Sequence, residues 1–361
     1  MKFLNKIIER FTEALLLFIF ANILFAQSET AVYRGVIKDE ATGEGIPYAS
    51  VVILEAKLGV NSNLNGLFIM KGIPKKKLKV QISAVGFIRK IIEVDFREIE
   101  DKVYSYKLKP SPVEMNTVVT EEDRARSEYV SNISIHNITA EELKSIPLPV
   151  EKDIIKSLKT IPGISTTSDV SGQFFVRGGS GDQNLILYDD FLIYNPFHAL
   201  GLFSIFDGNN IKNYEIQTGG FDPEYGGRLS SVLNVTSKEG NRNYYNGDVR
   251  LGMLSMHAGV NGPVPYGTIN LSVRKSLFDD IYKKFIKQDM PLSFYDVSGK
   301  ATFDITESGK VSFHYFTTGD KLDRKYAEDP AYKWLCNAYS LKFQSFIRQF
   351  VFTSSYSYSD Y

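Results

Sequence analysis

The side chains that most often carry out chemistry are few and scattered in this chain. Its 361 residues include one cysteine, Cys336, and four histidines. The histidines, His136, His198, His257 and His314, do not have the spacing of metal ligands. A lone cysteine forms no disulfide within the chain, and we expect Cys336 to be a small buried apolar side chain. The pattern predicts no metal site and no cofactor.

Two polar segments could in principle form an active site. Asp189 and Asp190 are adjacent at the end of a predicted strand, where neighbouring side chains point to opposite faces. They suit a solvated turn better than an acid–base pair. The segment RGGSGD at 177–182 lacks the Lys-Ser/Thr of a phosphate-binding loop and the spacing of a dinucleotide fold. Residues 194–198 are expected to form a packed loop, and no serine lies in a nucleophile-elbow pattern, so the sequence predicts no enzyme.

The charge balance argues against nucleic acid as a partner, and the composition indicates the fold class. Lys plus Arg and Asp plus Glu both number 42, so no net field attracts nucleic acid. Aromatic residues make up 13% of the chain, and they are mostly Tyr and Phe, with one Trp. This bias is typical of β-rich proteins, including those with aromatic girdles at a membrane interface. The sequence therefore predicts a mainly β protein that does not bind nucleic acid.

Residues 1–26 have the pattern of an export signal. Lys2, Lys6 and Arg10 give a basic start, an apolar run follows at 14–25, and Ala26 is a small residue suited to cleavage. The run is too short for a transmembrane helix, although an uncleaved anchor helix is the alternative. We expect a signal peptide over 1–26 and cleavage after it.

Residues 31–109 consist of short alternating segments separated by turn signals. The strand-like segments are 33–38, 49–54, 66–70, 77–83, 90–94 and 103–108. Regular short strands with this spacing predict a β-sandwich at the N-terminal end of the chain.

Residues 110–135 are predicted to be a linker that begins with Pro110 and Pro112. A short β-prone run follows, and it includes Thr117, Val118, Val119 and Thr120. An exposed extended segment of this kind can pair with the sheet edge of a partner through its backbone. The alternative is that the run is only the last strand of the sandwich or part of the linker.

Residues 136–240 are predicted to form an α+β unit. Thr139 and Glu142 have capping-box spacing, and a second short helix is expected to start at Asp153 and to end at Pro162 and Gly163. Residues 136–165 should therefore be helix, break and helix. Strand-like runs follow at 174–176, 185–188 and 232–235. Three glycine pairs, at 178–179, 219–220 and 226–227, indicate sharp turns or close backbone approach.

Residues 244–361 alternate apolar or aromatic side chains with polar ones. Period-2 alternation is typical of a transmembrane β-strand between lipid and a polar lumen, but also of an ordinary half-buried strand. Long connections, at 276–293 and 320–334, alternate with short ones, as they do in membrane barrels. A phase slip at Met253 and Leu254 indicates a tight hairpin, which gives about seven strands in all. Seven strands leave an open edge, so this part is expected to be the start of an incomplete barrel.

Ordered motifs in the α+β unit resemble the plug domain of TonB-dependent outer-membrane receptors. They are IPG at 161–163, FVRGG at 175–179, LILYD at 185–189, GGF at 219–221 and EYGGRLSSVLNVT at 224–236. The plug-motif residues are Pro162, Gly163, Arg177, Gly178, Gly179, Asp189, Gly226, Gly227 and Arg228. The sandwich resembles the carboxypeptidase regulatory-like domain on GVIKD at 35–39, IPYASV at 46–51, NGLF at 65–68 and SAVGF at 83–87.

The resemblance implies a non-enzymatic receptor of the outer membrane, of the Bacteroidetes type, with its plug and N-terminal domain on the periplasmic side. Residues 117–120 then take the position of a TonB box, which pairs with TonB to energise import. Arg177 and Arg228 are implied to sit among acidic partners near the boundary of plug and barrel, and the alternative is that each is a surface arginine beside a glycine turn. Outer-membrane lipid, a surface lipoprotein and a siderophore, glycan or peptide substrate are the further implied partners.

The fold class expected is therefore mainly β: a sandwich, an α+β plug domain over 136–240 and the first strands of a barrel over 244–361. The chain is expected to be an N-terminal fragment of a longer receptor. Two alternatives compete with import. One is a secreted or surface-attached β-sandwich protein that binds or adheres without transport, and the other is a carboxypeptidase, which would need a zinc site that the sequence lacks.

Overall fold

The computed structural model describes residues 30–99, 102–111, 134–145, 153–166, 173–198, 201, 203–252, 255–277, 292–322, 332–347 and 349–361. These ranges form three successive parts: an N-terminal sandwich, a central unit and a seven-stranded sheet. Within the same ranges, no helix is both long and apolar enough to cross a membrane. The predicted signal peptide and residues 117–120 lie outside them.

The N-terminal sandwich contains two sheets. Its strands are β1 (Thr30–Asp39), β2 (Ser50–Ile53), β3 (Leu58–Asn61), β4 (Leu67–Pro74), β5 (Lys77–Ser83), β6 (Lys90–Asp95) and β7 (Tyr104–Leu108). One sheet has the order β4-β1-β7 and the other β3-β2-β5-β6. The sequence predicted six of these strands and missed β3. Its four residues, LGVN, include glycine and asparagine, which are poor strand formers, so pairing with β2 and not propensity makes this strand.

The two sheets of the sandwich enclose one apolar core. Tyr33 lies at its centre, fully buried, with edge-to-face ring contacts to Phe68 and Phe96 at centroid distances of 5.3 and 5.4 Å. Ile37, Val51, Val80 and other alternate strand residues pack around it, and every member of the cluster belongs to this part of the chain. The sandwich therefore has a core of its own.

The central unit consists of short strands and two short helices. The strands are β8 (Ile135–Thr139), β9 (Ile164–Thr166), β10 (Phe174–Val176), β11 (Asn184–Tyr188), β12 (Phe191–Leu192), β13 (Phe197–His198), β14 (Phe203–Ser204), β15 (Ile211–Gln217) and β16 (Ser231–Ser237). The helices are α1 (Ala140–Ser145) and α2 (Ile154–Ser157), followed by a 3₁₀ turn (Leu158–Thr160). The main sheet has the order β12-β11-β16-β15-β8, and its β11–β16 pair is parallel.

The start of the central unit differs from the sequence prediction. The capping box is present, since Thr139 N donates to Glu142 Oε2 at 2.8 Å and Glu142 N donates to Thr139 Oγ1 at 3.3 Å. The residues before it, however, form β8 rather than helix. The prediction failed there because β8 is an edge strand held by its antiparallel pairing with β15, which is distant in sequence.

The last part is an antiparallel sheet of seven consecutive strands. They are β17 (Asn246–Leu251), β18 (Ser255–Val264), β19 (Gly267–Ser276), β20 (Leu292–Asp304), β21 (Lys310–Leu322), β22 (Tyr332–Ile347) and β23 (Phe350–Asp360). The predicted number of strands is confirmed. Gly252 N, just after β17, donates to Ser255 O at the start of β18 at 2.9 Å, and the predicted phase-slip residues Met253 and Leu254 lie outside the described ranges.

The polar face of this sheet is the buried one. On β19, Thr268, Asn270 and Ser272 are at most 7% exposed, whereas Leu271 and Val273 are each 47% exposed. The same reversal continues on β20 to β22, where Asp296, Lys300 and Ser340 are buried and Tyr295, Phe313 and Leu341 are exposed. An ordinary half-buried strand would turn its apolar side inward, so the structure selects the lipid-facing interpretation of the alternation.

Candidate functional site: a charged boundary under the seven-stranded sheet

The candidate site is the boundary where the central unit contacts the polar face of the seven-stranded sheet. Apolar contact accounts for part of it, because Phe316 and Ala338 of the sheet join the apolar core of the central unit. The rest of the boundary is polar and consists of hydrogen bonds and ion pairs, most of which join residues far apart in sequence. Four clusters are described below, each centred on one side chain of the central unit or of the segment that follows it.

The first cluster is centred on His198, at the end of β13. Its ring is fully buried, with Nδ1 2.7 Å from Asp320 Oδ2 and Nε2 2.8 Å from Asp296 Oδ1. Burial opposes the charged form, but Asp296 and then Asp320 outweigh it, so the pKa of His198 is raised above its usual value. Both ring nitrogens lie within hydrogen-bond distance of carboxylate oxygens, which accept, so this geometry suits the doubly protonated ring.

Arg274 of β19 completes this cluster. Its Nε donates to Asp296 Oδ2 at 2.7 Å, and its guanidinium also donates to the carbonyl of Ser204 at 2.7 Å. The amide of Ser204 in turn donates to Asp153, the N-cap residue of α2, at 2.9 Å. A histidine between two carboxylates also occurs in catalytic sites, but here neither ring nitrogen is free to take a proton from a substrate. The cluster joins the central unit to the seven-stranded sheet.

The second cluster is centred on the turn between β11 and β12. Asp189 and Asp190 both have left-handed backbone, with φ of +41° and +73°, as a two-residue hairpin turn of this type requires. Asp189 lies 3.1 Å from Lys300 Nζ and 2.7 Å from His314 Nδ1, and Asp190 lies 2.9 Å from Lys342 Nζ.

The expectation of a solvated turn is therefore wrong for Asp189, although the turn itself is present. Its carboxylate is 9% exposed and accepts from Ser237 N at 3.2 Å. Burial by itself raises the pKa of Asp189, but Lys300 and His314 overcome it and hold that pKa well below its usual range. The tertiary structure buries a residue that the local sequence marks as exposed, because the sheet supplies its partners.

The third cluster is centred on Glu239, just after β16. Its carboxylate contacts Lys310, lies 3.1 Å from Arg242 and lies 3.7 Å from Lys212. Burial opposes its ionisation, but Lys310 and then Lys212 hold the pKa of Glu239 well below its usual range. Four charged side chains from the central unit, the following segment and the sheet thus meet here.

The fourth cluster joins Asp207 to β17 and β18. His257 Nδ1 contacts Asp207, and its Nε2 lies 3.2 Å from Asp248. Burial raises the pKa of Asp207, but hydrogen bonding from His257 and the charge of Arg274 lower it to about 2. Within the described ranges, no group of three or more His, Cys, Asp or Glu side chains is arranged to hold a metal ion.

The glycine-rich plug-motif residues form turns at the other end of the central unit. Gly163 and Gly178 have φ of +86° and +80°, and Arg177 N donates to Gly163 O at 2.8 Å, so the two turns are joined. A Cβ on Gly179 would lie 2.2 Å from Ser230 Oγ. This close approach brings the turn at 177–181 against the start of β16. Pro162 precedes the first turn, and Gly226 and Gly227 belong to an exposed turn before β16.

Arg177 and Arg228 are not in the environment that the resemblance implied. Both are exposed, and Arg177 donates to Ser134 Oγ at 3.5 Å while Arg228 donates to the carbonyl of Gly227 at 2.9 Å. Asp182, itself fully exposed, is the acidic neighbour whose pKa Arg228 helps to lower, after hydrogen bonds from Ser180 and its own backbone. The expected buried pair with acids is therefore absent from the described residues, because both arginines follow solvent-facing turns.

Sequence reasoning missed most residues of the charged boundary. They are Arg274, Asp296, Lys300, His314 and Asp320 on the sheet, and His198 and Glu239 opposite them. One signal could have found the sheet residues, namely charged side chains in the polar phase of an alternating strand. His198 offered no such signal, because its partners are 98 and 122 residues away.

Two domain families match the chain. Residues 33–120 match the model of the CarboxypepD_reg-like domain, and residues 127–231 match that of the TonB-dependent Receptor Plug Domain. No curated protein sequence matches the chain.

Several solved receptors are similar to part of this chain. A variant of the ferric enterobactin receptor PfeA from Pseudomonas aeruginosa, in complex with enterobactin, is 15% identical over 63% of this chain, with a TM-score of 0.46. The siderophore receptor PirA from Acinetobacter baumannii is 18% identical over 67% of this chain, also with a TM-score of 0.46. The alcaligin receptor FauA from Bordetella pertussis is 16% identical over 63%, with a TM-score of 0.45. The aligned parts cover 41%, 41% and 38% of those chains, so this chain spans about two fifths of their length.

Residues 33–120 thus belong to the carboxypeptidase regulatory-like domain family, and residues 127–231 belong to the plug domain family of TonB-dependent receptors. TonB-dependent receptors with this plug domain are proteins of the outer membrane and are not enzymes. The central unit is called the plug from here on.

Proposed function

We propose that this chain forms the plug-bearing part of a transporter that imports a solute across the outer membrane with energy delivered by TonB. The observation that carries the proposal is the buried polar face of the seven-stranded sheet. Leu271 and Val273 face outward while Asn270 and Arg274 face the plug. In water this burial would be costly, and in a bilayer it is the stable arrangement. A secreted adhesion protein would be expected to bury the opposite face.

The plug boundary supports transport rather than a permanent seal. Its ion pairs and hydrogen bonds, such as those of His198, Asp189 and Glu239, need specific geometry and can be exchanged for water when the plug moves. A boundary made only of apolar side chains would offer no such exchange. The function proposed for these residues is to seat the plug in one register and still permit its displacement.

The coupling segment proposed is Thr117, Val118, Val119 and Thr120, which would pair with TonB as an added β-strand. This segment precedes Ser134, whose carbonyl accepts from Thr218 N at 2.8 Å at the edge of the plug sheet. A pull on the segment would therefore act first on the edge strand β8. Arg177, Gly178, Gly179 and Arg228 are proposed as structural or switch residues of the neighbouring turns.

The substrate is proposed to bind to the external loops and the plug apex, and siderophore, glycan and peptide are the candidate classes. Outer-membrane lipid and a surface lipoprotein are the other proposed partners. The export signal at 1–26, the linker at 110–135 and the bounds of the three domains stay predictions of the sequence.

The coupling segment is tested by substitutions that separate backbone pairing from side-chain identity. Val118→Pro removes a backbone donor and fixes φ, so we expect TonB-dependent uptake by the receptor to be abolished. Val118→Ala keeps the ladder and should be milder. Substrate binding at the cell surface should survive in both variants, because neither change touches the external loops. Uptake assays that find Val118→Pro unimpaired would place the coupling strand elsewhere, with 114–116 and 130–135 the next segments to test.

A further inference from the structure

The N-terminal sandwich is docked on the plug through polar side chains. Glu44 of the sandwich lies 3.2 Å from Lys212 Nζ of β15, and its Oε1 also accepts from the amide of Glu239 at 2.9 Å. Tyr48 Oη donates to Glu215 Oε2, also on β15, at 2.8 Å. Two side chains of one sandwich segment thus hold the same plug strand.

Further contacts hold the sandwich on the segment after the plug and on the sheet. Arg242 N donates to the carbonyl of Thr42 at 2.8 Å, and Asn243 Nδ2 donates to that of Ala41 at 2.7 Å. Asn65 contacts Gln344 of β22. The turn of the sandwich that contains Glu44 therefore rests on the junction between the plug and the first strands of the sheet.

Lys212 depends on the sandwich for its nearest carboxylate. Its side chain is 6% exposed, so its charge is largely removed from water. Glu239, the other carboxylate near it, is at 3.7 Å and is shared with Lys310 and Arg242. Glu44 therefore supplies a charge that the plug requires when the sandwich is docked.

Tyr48 is held in a conformation that suits this role. Its φ is +53°, a left-handed backbone that is costly for an aromatic residue and that is found where structure is maintained for function. Burial, and next the carboxylate of Glu215, raise the pKa of Tyr48, so its hydroxyl stays protonated and donates. The sandwich thus presents the Tyr48 hydroxyl to the plug from a left-handed backbone conformation.

The contact between the sandwich and the plug is polar, so the two can separate. The apolar core of the sandwich and that of the plug share no residue, whereas the plug core includes Phe316 and Ala338 of the sheet. The plug is thus bound to the sheet by apolar packing as well as by ions, and the sandwich is bound to the plug by the polar contacts described above. Polar interfaces between domains permit relative motion more readily than apolar ones.

The contact with the sandwich lies on β15, next to the edge strand of the main plug sheet. β15 lies between β16 and the edge strand β8 in the main plug sheet, and Glu215 pairs with Asn137 of β8. A displacement of β15 must separate Glu215 from Tyr48 and Lys212 from Glu44. The sandwich consequently resists any motion of the plug that begins at this sheet edge.

We propose that the N-terminal sandwich is a latch that holds the plug in its seated position through Glu44 and Tyr48, and that it must undock before the plug is displaced. The proposal rests on the transport function proposed above. It assigns to the carboxypeptidase regulatory-like domain a role in retaining the plug, with β15 as its contact strand.

The test uses the receptor in outer-membrane vesicles, with the double variant Glu44→Gln/Tyr48→Phe, which keeps the side-chain shapes and removes the charge and the donor. Amide hydrogen exchange over 211–217 should become about tenfold faster, while exchange in α2 is unchanged. Glu40→Gln, an exposed acid on the same turn, is the matched control and should leave exchange as in the wild type. TonB-dependent uptake by the double variant should rise, because less work is needed to displace the plug.

Unchanged exchange over 211–217 would overturn the latch, and so would faster exchange with unchanged or slower uptake. The failure of the transport proposal looks different. A wild-type receptor with no TonB-dependent uptake of any solute would reject transport, whereas the exchange experiment would still decide whether Glu44 and Tyr48 hold β15.

Discussion

Asp189 and Asp190 are neighbours in one turn and yet have different environments. Asp189 is 9% exposed beside Lys300, which is 7% exposed, whereas the pair of Asp190 and Lys342 is 21% and 27% exposed. The left-handed turn sends the two carboxylates to different strands of the sheet. Their contributions to stability should therefore differ, although the sequence treats them alike.

Asp189→Asn should cost about 3–5 kcal/mol, because it leaves the buried ammonium of Lys300 without its carboxylate. Asp190→Asn should cost about 0–1 kcal/mol, because its ion pair is partly solvated. Asparagine tolerates the left-handed turn, so turn strain contributes to neither value. Denaturant unfolding of the receptor in detergent measures both. Equal losses for the two variants would contradict the assignment of Asp189 to the buried boundary.

His198 makes the seating of the plug dependent on pH. The groups that face it are Asp296, Asp320 and Arg274. Its folded-state pKa is raised above the usual value of 6.5, so its ion pairs are fully formed below that pH. Their contribution is then lost as the pH rises through the raised folded-state pKa.

Stability of the seated plug should therefore fall as the pH rises above 6.5 through the raised folded-state pKa of His198, and His198→Gln should remove most of that slope. At low pH the same variant should lose about 3–5 kcal/mol, since two buried carboxylates lose their shared partner. His136→Gln is the control, because burial and then Arg177 lower the pKa of His136, so its slope has the opposite sign and lies below pH 6.5, and this variant should leave the slope above pH 6.5 unchanged. Unfolding midpoints of the wild type and of both variants, measured as a function of pH, check the prediction. A slope above pH 6.5 that is as steep in His198→Gln as in the wild type would refute it.

At the scale of the element, strand β19 shows that the surroundings decide which face of an alternating strand is buried. Its polar residues pair with the plug and its apolar residues face outward, although the period of two alone permits either assignment. The exposed apolar side chains are a liability in water and a requirement in lipid. A charged substitution on this face therefore tests whether the face lies against lipid or against water.

Val273→Arg should destabilise the receptor by about 2–4 kcal/mol, because it places a charge on the lipid face of β19. Val85→Arg is the matched control, since Val85 is also an exposed valine, at 59% against 47%, but lies on the sandwich. That change should stay within about 0.5 kcal/mol. Folding assays in lipid vesicles compare the two, and equal effects would mean that β19 does not face lipid.

At the scale of the whole molecule, the chain has two separate apolar cores, one in the sandwich and one shared by the plug and the sheet. The sandwich core, around Tyr33 and Phe68, draws no residue from the plug or the sheet. The plug core needs Phe316 and Ala338 of the sheet. The sandwich should accordingly be able to fold alone, and the plug should not.

Residues 31–109, expressed alone, should unfold in one cooperative transition on addition of urea. Val80→Ala within the core should lower the free energy of unfolding by about 1–3 kcal/mol, while Val85→Ala at the surface should change it by less than about 0.5 kcal/mol. Circular dichroism and tyrosine fluorescence should give coincident curves. A gradual, non-cooperative loss of structure would show that the sandwich depends on its docking to the plug.

The sequence by itself determined the mainly β class, six strands of the sandwich, the capping box of Thr139 and the seven strands of the last sheet. These features depend on residues within a few positions of one another, where period, propensity and turn chemistry act directly. The plug motifs were likewise local, with their turns at Gly163 and Gly178. Strands β3, β8, β9 and β12 to β15 were not predicted, and β3 and β8 in particular are strands because of their pairing partners and not because of their own residues.

Only the tertiary structure decided which face of the sheet is buried, which charges are paired and where the sandwich docks. His198 meets Asp296 and Asp320, Asp189 meets Lys300, and Glu44 meets Lys212 across gaps of 98 to 168 positions. A buried charge is stable only beside a partner, and the partner here is supplied by another strand or another domain. The local sequence around Asp189 therefore indicated a solvated turn, whereas the fold made it part of the boundary that seats the plug.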